Sequence, residues 1–136
     1  MTNEKPQDAN ALKGKTGLRR LLNAFGYSLQ GFRAAWQNEA AFREEAMLTI
    51  VLTPVALLLP VTGVEKLLLI LSLLLLVLVE LLNSAVEAVV DRIGPEIHPL
   101  SGRAKDFGIA AVLLGCRILG STWLFIAHPA VLGLFL

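Results

Sequence analysis

The sequence predicts an all-α membrane protein, with three transmembrane helices and an N-terminal amphipathic surface helix. Three observations carry that reading. First, apolar runs dominate the 136 residues: Ala46 to Val64 holds 19 residues without a charge, Leu67 to Val90 holds 24 interrupted by Glu80 and Glu87, and Phe107 to Leu136 holds 30 interrupted by Arg117. Each can cross a hydrocarbon core of ~30 Å, which takes about 20 residues at ~1.5 Å per residue. Second, cations segregate: Lys5, Lys13, Lys15, Arg19, Arg20, Arg33 and Arg43 precede the first run, Arg92, Arg103 and Lys105 lie between the second and third, and Lys66 alone lies between the first and second. The positive-inside bias puts the N-terminus and the 91–106 loop in the cytoplasm, with the 60–66 turn and the C-terminus outside. Third, an amphipathic pattern precedes the first run.

Residues 1–16 read as a disordered cytoplasmic tail, polar and without periodicity. They hold no apolar h-region, so the first span is expected to stay in the mature protein. Residues 17–136 read as one integral membrane domain. Its surface helix is expected at about 18–36, where Leu18, Leu21, Leu22, Phe25, Leu29, Phe32 and Trp36 repeat at helical spacing and Arg19, Arg20, Asn23, Gln30 and Arg33 take the other side. Such a helix suits the cytoplasmic leaflet, with basic residues towards anionic lipid and an aromatic at the interface. Gly26 and Gly31 mark a candidate bend or close approach.

A polar segment, QNEAAFREEA, leads into the first span, and Glu39 with Arg43 has the i, i+4 spacing of an ion pair. The spans are expected at about 44–62, 66–91 and 105–127, with a kink or early exit at Pro54 or Pro60 in the first. Cys116, the single cysteine, excludes an intrachain disulfide and is expected to pack as an apolar residue in the third span. His98 and His128 stand without partners at metal-ligand spacing, and His98, in PEIHPL, reads as a loop residue.

The second span carries the chemistry. Glu80, Asn83, Ser84, Glu87 and Asp91 fall within an arc of roughly 100° on one helix face. An ionised group at the centre of a bilayer helix costs at least ~2.5–3.5 kcal/mol, so such a stripe rarely exists without something to bind. Counted from Lys66 at ~1.5 Å per residue, Glu80 lies about 21 Å along the helix, some 9 Å beneath the cytoplasmic face of a ~30 Å core. A lipid's glycerol hydroxyl sits at that level. Three helices cannot fully enclose the stripe, so partner subunits are expected to cover it.

The loop DRIGPEIHPLSGRAKDFG adds Arg92, Arg103, Lys105 and Asp106, with Gly94 and Gly102 allowing tight turns. These groups suit a metal–polyphosphate ligand and equally suit an ordinary charged connector; the G-x-x-x-x-G-K-[ST] pattern is absent. The combination is more telling. Phosphoryl transfer to a lipid hydroxyl needs a carboxylate near the acceptor, carboxylates for Mg²⁺ at the surface and cations for phosphate. Glu80, then Glu39 and Glu87, then Lys105 and Arg103 meet that list in depth order.

The segments GYSLQGFRAAW, NEAAFREE, VELLNSAVEAVVDRIG and SGRAKDFGIAAVLL resemble the prokaryotic diacylglycerol kinase family in order and spacing, over about residues 17–127. The resemblance implies a multi-pass protein of the bacterial inner membrane, a homotrimer whose active sites are shared between subunits. It implies ATP as phosphoryl donor, Mg²⁺ as cofactor and diacylglycerol as acceptor, with no nucleic-acid partner. By the same resemblance Glu80 is the general base, Glu39 and Glu87 are metal ligands, and Asn83, Glu87, Lys105 and Asp106 contact the nucleotide, with Arg103, Arg20 and Tyr27 as further candidates. Glu45, Arg33, Trp36 and Ser84 join Glu80 as candidate lipid contacts. An undecaprenol kinase of the same fold is the close alternative. A small ion-coupled transporter using Glu80 is the alternative of a different class, though it would have little use for Glu39, Glu87, Lys105 and Asp106 near one face. The blandest reading makes the stripe an assembly interface, with Ser84 hydrogen-bonding between helices and Arg117 snorkelling or pairing in the oligomer.

Overall fold

The computed structural model describes residues 17–136, so the tail expected at 1–16 lies outside the described residues. Four helices follow one another, and no strand occurs among the described residues: α1 (Gly17–Asn38), α2 (Ala40–Leu58), α3 (Gly63–Ile93) and α4 (Pro99–Phe135).

Helix α1 runs unbroken through Gly26 and Gly31. Its apolar stripe, from Leu18 to Trp36, is exposed, and Ala35 is its one buried residue. Large apolar side chains left uncovered on one face, with arginines on the other, are what a helix lying in a membrane interface requires.

The chain turns at Glu39, which is extended (φ −118°, ψ 105°) and caps nothing with its side chain. Arg43 Nη1 donates to the Trp36 carbonyl at 2.7 Å, satisfying an acceptor at the end of α1. Phe32 and Phe42 stack across the junction with centroids 6.4 Å apart. The Glu39–Arg43 ion pair suggested by spacing does not form, because the guanidinium is engaged by the helix end. Among the described residues the ion pair is instead Lys105–Asp91.

Helix α2 sits four residues earlier than expected at each end, 40–58 against 44–62. It starts before its charges because Arg43 serves α1 from within the first turn of α2. It stops early because Pro60 excludes the preceding residue from the α region, and Leu59 adopts φ −65°, ψ 145°. Pro54 lies inside the helix without ending it.

Thr62 and Glu65 then start α3 with a capping box: Glu65 N donates to Thr62 Oγ1, and Thr62 N to Glu65 Oε1, each at 3.2 Å. Lys66 Nζ donates to the Leu57 carbonyl at 2.7 Å and closes the end of α2. Beside this turn Ala56, Leu59, Leu69 and Ala127 form a buried core, with Trp123 and Val61 against it. Helix α3 is central, burying Leu69, Ser72, Leu73, Leu76, Glu80 and Asn83 along one face.

Gly94 follows α3 at φ 151°, a conformation that side-chain-bearing residues rarely adopt. His98 Nδ1 accepts from Leu100 N at 3.1 Å and Pro99 takes the first helical position, so α4 begins at residue 99 rather than 105. Much of the expected loop is therefore helix, including SGRAKD, and Gly102 lies inside it rather than in a turn. Helix α4 also continues past 127, through Pro129, to Phe135. It buries Gly115 and Ala127, small residues that let it approach α3, whereas Cys116 is exposed rather than packed.

Helices α3 and α4 are long and apolar enough to cross a membrane. Helix α2, with Arg43, Glu44 and Glu45 among its 19 residues, is shorter and more charged.

Candidate active site

The stripe on α3 emerges gradually from the bundle. Glu80 and Asn83 are 5% and 8% exposed, Ser84 and Glu87 are half-buried, and Asp91 is exposed. Helical geometry alone brings these groups to one face; the packing of α2 and α4 on that face buries the inner ones.

Three further carboxylates act electrostatically on Glu80: Glu87 from its own helix, Glu39 from the α1–α2 junction and Glu45 from α2. Four carboxyl groups so gathered form a focus of negative potential as they ionise, which a cation relieves. Hard carboxylate oxygens are the donors that suit Mg²⁺.

The cluster is also short of hydrogen-bond partners. Asn83 Nδ2 donates to Glu87 Oε1 at 3.4 Å. Glu45 Oε2, Asn83 Oδ1 and Ser84 Oγ are buried with no partner, as is Trp123 Nε1 farther along α4. Asn83 Oδ1 lies against Gly108 in the α3–α4 seam; buried polar atoms are seldom left without partners, so Glu45 Oε2 and Ser84 Oγ beside the carboxylate cluster mark a place completed by a ligand, water or a neighbouring chain. Among the described residues, no three metal-ligating side chains stand close enough to hold an ion by themselves. An ion here would draw part of its shell from elsewhere, as Mg²⁺ does when it binds one or two carboxylates together with phosphate oxygens.

Lys105 reaches this region from α4. Its Nζ donates to Asp91 Oδ1 at 2.9 Å, one turn beyond Glu87. Arg103 and Asp106, on the same first turns of α4, are exposed.

Two recesses adjoin the cluster. Gly31, Ala34 and Ala35 of α1 and Leu81, Ser84 and Ala88 of α3 help line a space of about 440 Å³ that also meets Glu39. A groove of about 510 Å³ runs from Glu45 along Leu48, Leu52, Leu76, Leu119 and Trp123. It is apolar except at its Glu44–Glu45 end and at Trp123.

Arg20, Tyr27, Arg33 and Trp36 are exposed on α1. Measured along the helix at ~1.5 Å per residue, Arg20 lies about 28 Å and Tyr27 about 18 Å from Glu39. Arg117 Nε donates to Ser121 Oγ at 3.2 Å, a turn farther along α4 and away from the site.

Sequence reading missed two contributors. Arg43 sets the α1–α2 junction that positions Glu39, and its spacing to Glu39 pointed to the wrong partner. Gly108 lies against Asn83 across the α3–α4 seam; nothing local distinguishes it from any other glycine in a membrane helix.

A family profile described as prokaryotic diacylglycerol kinase matches residues 26–127. The diacylglycerol kinase of Pseudomonas aeruginosa is 55% identical over 111 residues, covering 82% of this chain and 90% of that protein. That of Escherichia coli K12 is 53% identical over 108 residues, covering 79% and 88%, and that of Helicobacter pylori 26695 is 43% identical over 99 residues, covering 73% and 77%.

Proposed function

The chain belongs to the prokaryotic diacylglycerol kinase family and phosphorylates diacylglycerol, and on that premise we propose that Glu80 acts as the general base and that Glu39 and Glu87 hold the Mg²⁺ that accompanies ATP. The acceptor oxygen of diacylglycerol attacks the γ-phosphorus, the bond from that phosphorus to the β,γ-bridging oxygen breaks, and the hydroxyl proton passes to the Glu80 carboxylate. Phosphatidic acid and ADP are the products.

The observation that carries this reading is a carboxylate 5% exposed, with the charges of Glu39, Glu45 and Glu87 acting on it. An acceptor hydroxyl within reach of Glu80 has a base beside it and little competing water. Mg²⁺, when bound, neutralises charge on the β- and γ-phosphates. Lys105, with Arg103 and Asp106 on the same helix turns, contacts the nucleotide, and Asn83 orients Glu87. Glu45, Ser84, Arg33 and Trp36 face the lipid. The apolar groove below Glu45 has the lining an acyl chain needs, and its position one turn from Glu80 suits a lipid that presents its hydroxyl at the interface.

Helices α2, α3 and α4 all cross the membrane in this reading, a bacterial inner membrane, with the N-terminus and the 91–106 segment in the cytoplasm. The protein assembles as a homotrimer with sites shared between neighbours. The distance of Arg20 from Glu39 along α1, and the buried Glu45 Oε2 and Ser84 Oγ without partners, support a site completed by a second subunit.

The test is transfer of labelled γ-phosphate in mixed micelles offered both diacylglycerol and undecaprenol. Label is expected in phosphatidic acid and to depend on Mg²⁺. Transfer to undecaprenol alone would replace the acceptor, and transfer to neither lipid would overturn the catalytic reading.

A further inference from the structure

We infer that Gly108 is a positioning residue for the phosphoryl-transfer site: its missing side chain is the seat into which the Asn83 carboxamide fits, and that seat holds Asn83 against Glu87. The inference rests on the proposed metal role of Glu87. It goes beyond that role by locating, on a different helix, the residue that fixes Glu87's hydrogen-bond partner.

Asn83, 8% exposed, lies in the seam between α3 and α4 with its amide oxygen buried. A Cβ built on Gly108 would overlap Asn83 Oδ1 and stand 3.0 Å from its Cγ. The amide oxygen thus fills the volume that any larger residue at 108 would occupy. Its opposite end is fixed by chemistry: an ionised carboxylate only accepts hydrogen bonds, so the amide must present its NH₂ to Glu87 Oε1, where Nδ2 lies at 3.4 Å. With the NH₂ towards Glu87, the oxygen must point at Gly108. The oxygen has no hydrogen-bond partner there, so space, rather than a bond, holds it in place.

The geometry also separates this role from simple helix packing. The same added Cβ would lie 3.7 Å from Asn83 Cβ, an ordinary contact, so the two backbones need not part. What must move is the end of a flexible side chain. A turn away, Lys105 still reaches Asp91 at 2.9 Å from the same pair of helices. Alanine at 108 should therefore leave α3 and α4 in register and displace one amide. Gly115, in the same seam, provides the contrast: its Cβ would meet a flexible Leu76 methyl at 3.2 Å and no polar group.

The experiment is a double-mutant cycle in purified enzyme in mixed micelles, with Gly108→Ala, Asn83→Ala, the double variant and Gly115→Ala. Turnover is read against Mg²⁺ concentration at saturating lipid, and KM for diacylglycerol is read separately. Losing the partner of a metal-ligating carboxylate typically weakens metal binding about 10–100-fold, so Gly108→Ala should raise the half-maximal Mg²⁺ concentration by about tenfold or more with little change in lipid KM. In the Asn83→Ala background the same substitution should add nothing, because no amide remains to be displaced. An unchanged Mg²⁺ response in Gly108→Ala, effects that multiply in the double variant, or an equal effect from Gly115→Ala would each overturn the seat. If Gly108→Ala lowers the yield of folded protein, the cycle is read in thermal stability, where the loss must vanish with Asn83→Ala. Glu87→Gln alone tests the metal assignment, and non-additivity of turnover in the cycle tests the seat, so the two fail separately.

Discussion

Where α2 turns into α3, the bundle closes on hydrocarbon: Ala56 and Leu69 are fully buried, Leu59 and Ala127 nearly so, and the turn is tied by the Thr62–Glu65 box and the Lys66–Leu57 bond. Where α1 turns into α2, the bundle instead gathers Glu39, Glu45, Glu80 and Glu87 and leaves buried polar atoms without partners. One end is apolar apart from the unpartnered Trp123 Nε1 beside it; the other is assembled around carboxylates that repel. The contrast separates the work of the two ends. The first holds the helices together, and the second gives up local stability to present groups that only a ligand or neighbour completes.

Substitutions at each end should therefore fail in different ways. The largest effect is expected from Glu80→Gln, which keeps the shape of the side chain and removes the base: turnover should fall by about 10²–10⁴-fold while folding and nucleotide binding persist. Near-normal turnover in the purified enzyme would remove Glu80 from its role as base. Next, Glu87→Gln should shift the Mg²⁺ dependence of turnover by about 10–100-fold. A metal titration that superimposes on that of the unmodified protein would count against the ligand role.

At the opposite end the order of symptoms reverses. Leu69→Ala should lower resistance to denaturant by about 2 kcal/mol, the lower part of the range for buried leucine truncation, since lipid replaces water as the alternative surroundings and mainly packing is lost. Turnover per folded molecule should hold, and a selective loss of activity at unchanged stability would break the division between the ends. The smallest effect is expected from Thr62→Ala, about 1 kcal/mol through loss of the cap, readable as a lowered melting temperature with the Mg²⁺ response intact.

The features legible in the sequence were those with a local cause. The 3.6-residue period on α1, and the polar stripe from Glu80 to Asp91 on α3, follow from spacing along one helix, and both appear in the structure as read. The exit of α2 before Pro60 has a local cause and was also legible, whereas the first turns of α2 and α4 depend on bonds to neighbouring segments: Arg43 reaching back to Trp36, and His98 receiving Leu100 N. A hydropathy run sees the apolar interior of a helix and not these terminal bonds. In the site, Glu80 and Glu87 could be named because charge in an apolar run is conspicuous, whereas Glu39 and Glu45 lie in a polar segment where nothing local marks them. The pairing of Lys105 with Asp91 and the fit of Asn83 over Gly108 could not be named, since each joins residues on separate helices and depends on how α4 lies against α3.

Helix α2 ends at Leu58 after 19 residues, about 28 Å, whereas α3 has 31 residues, about 46 Å. In the three-span arrangement proposed above, the shorter helix is a ruler. With Arg43 near one end and Lys66 beyond the other, α2 can follow a thicker or thinner bilayer only by stretching or compressing the lipid around it, whereas the longer α3 can tilt. Because Glu39 precedes α2 and Glu45 lies on it, while Glu80 and Glu87 lie on α3, tilting α3 about the tied turn at Thr62 moves one pair of carboxylates relative to the other. In that arrangement the host lipid's chain length sets the spacing of the carboxylates, and turnover in bilayers of graded thickness is expected to be greatest where the hydrocarbon depth matches the shortest helix.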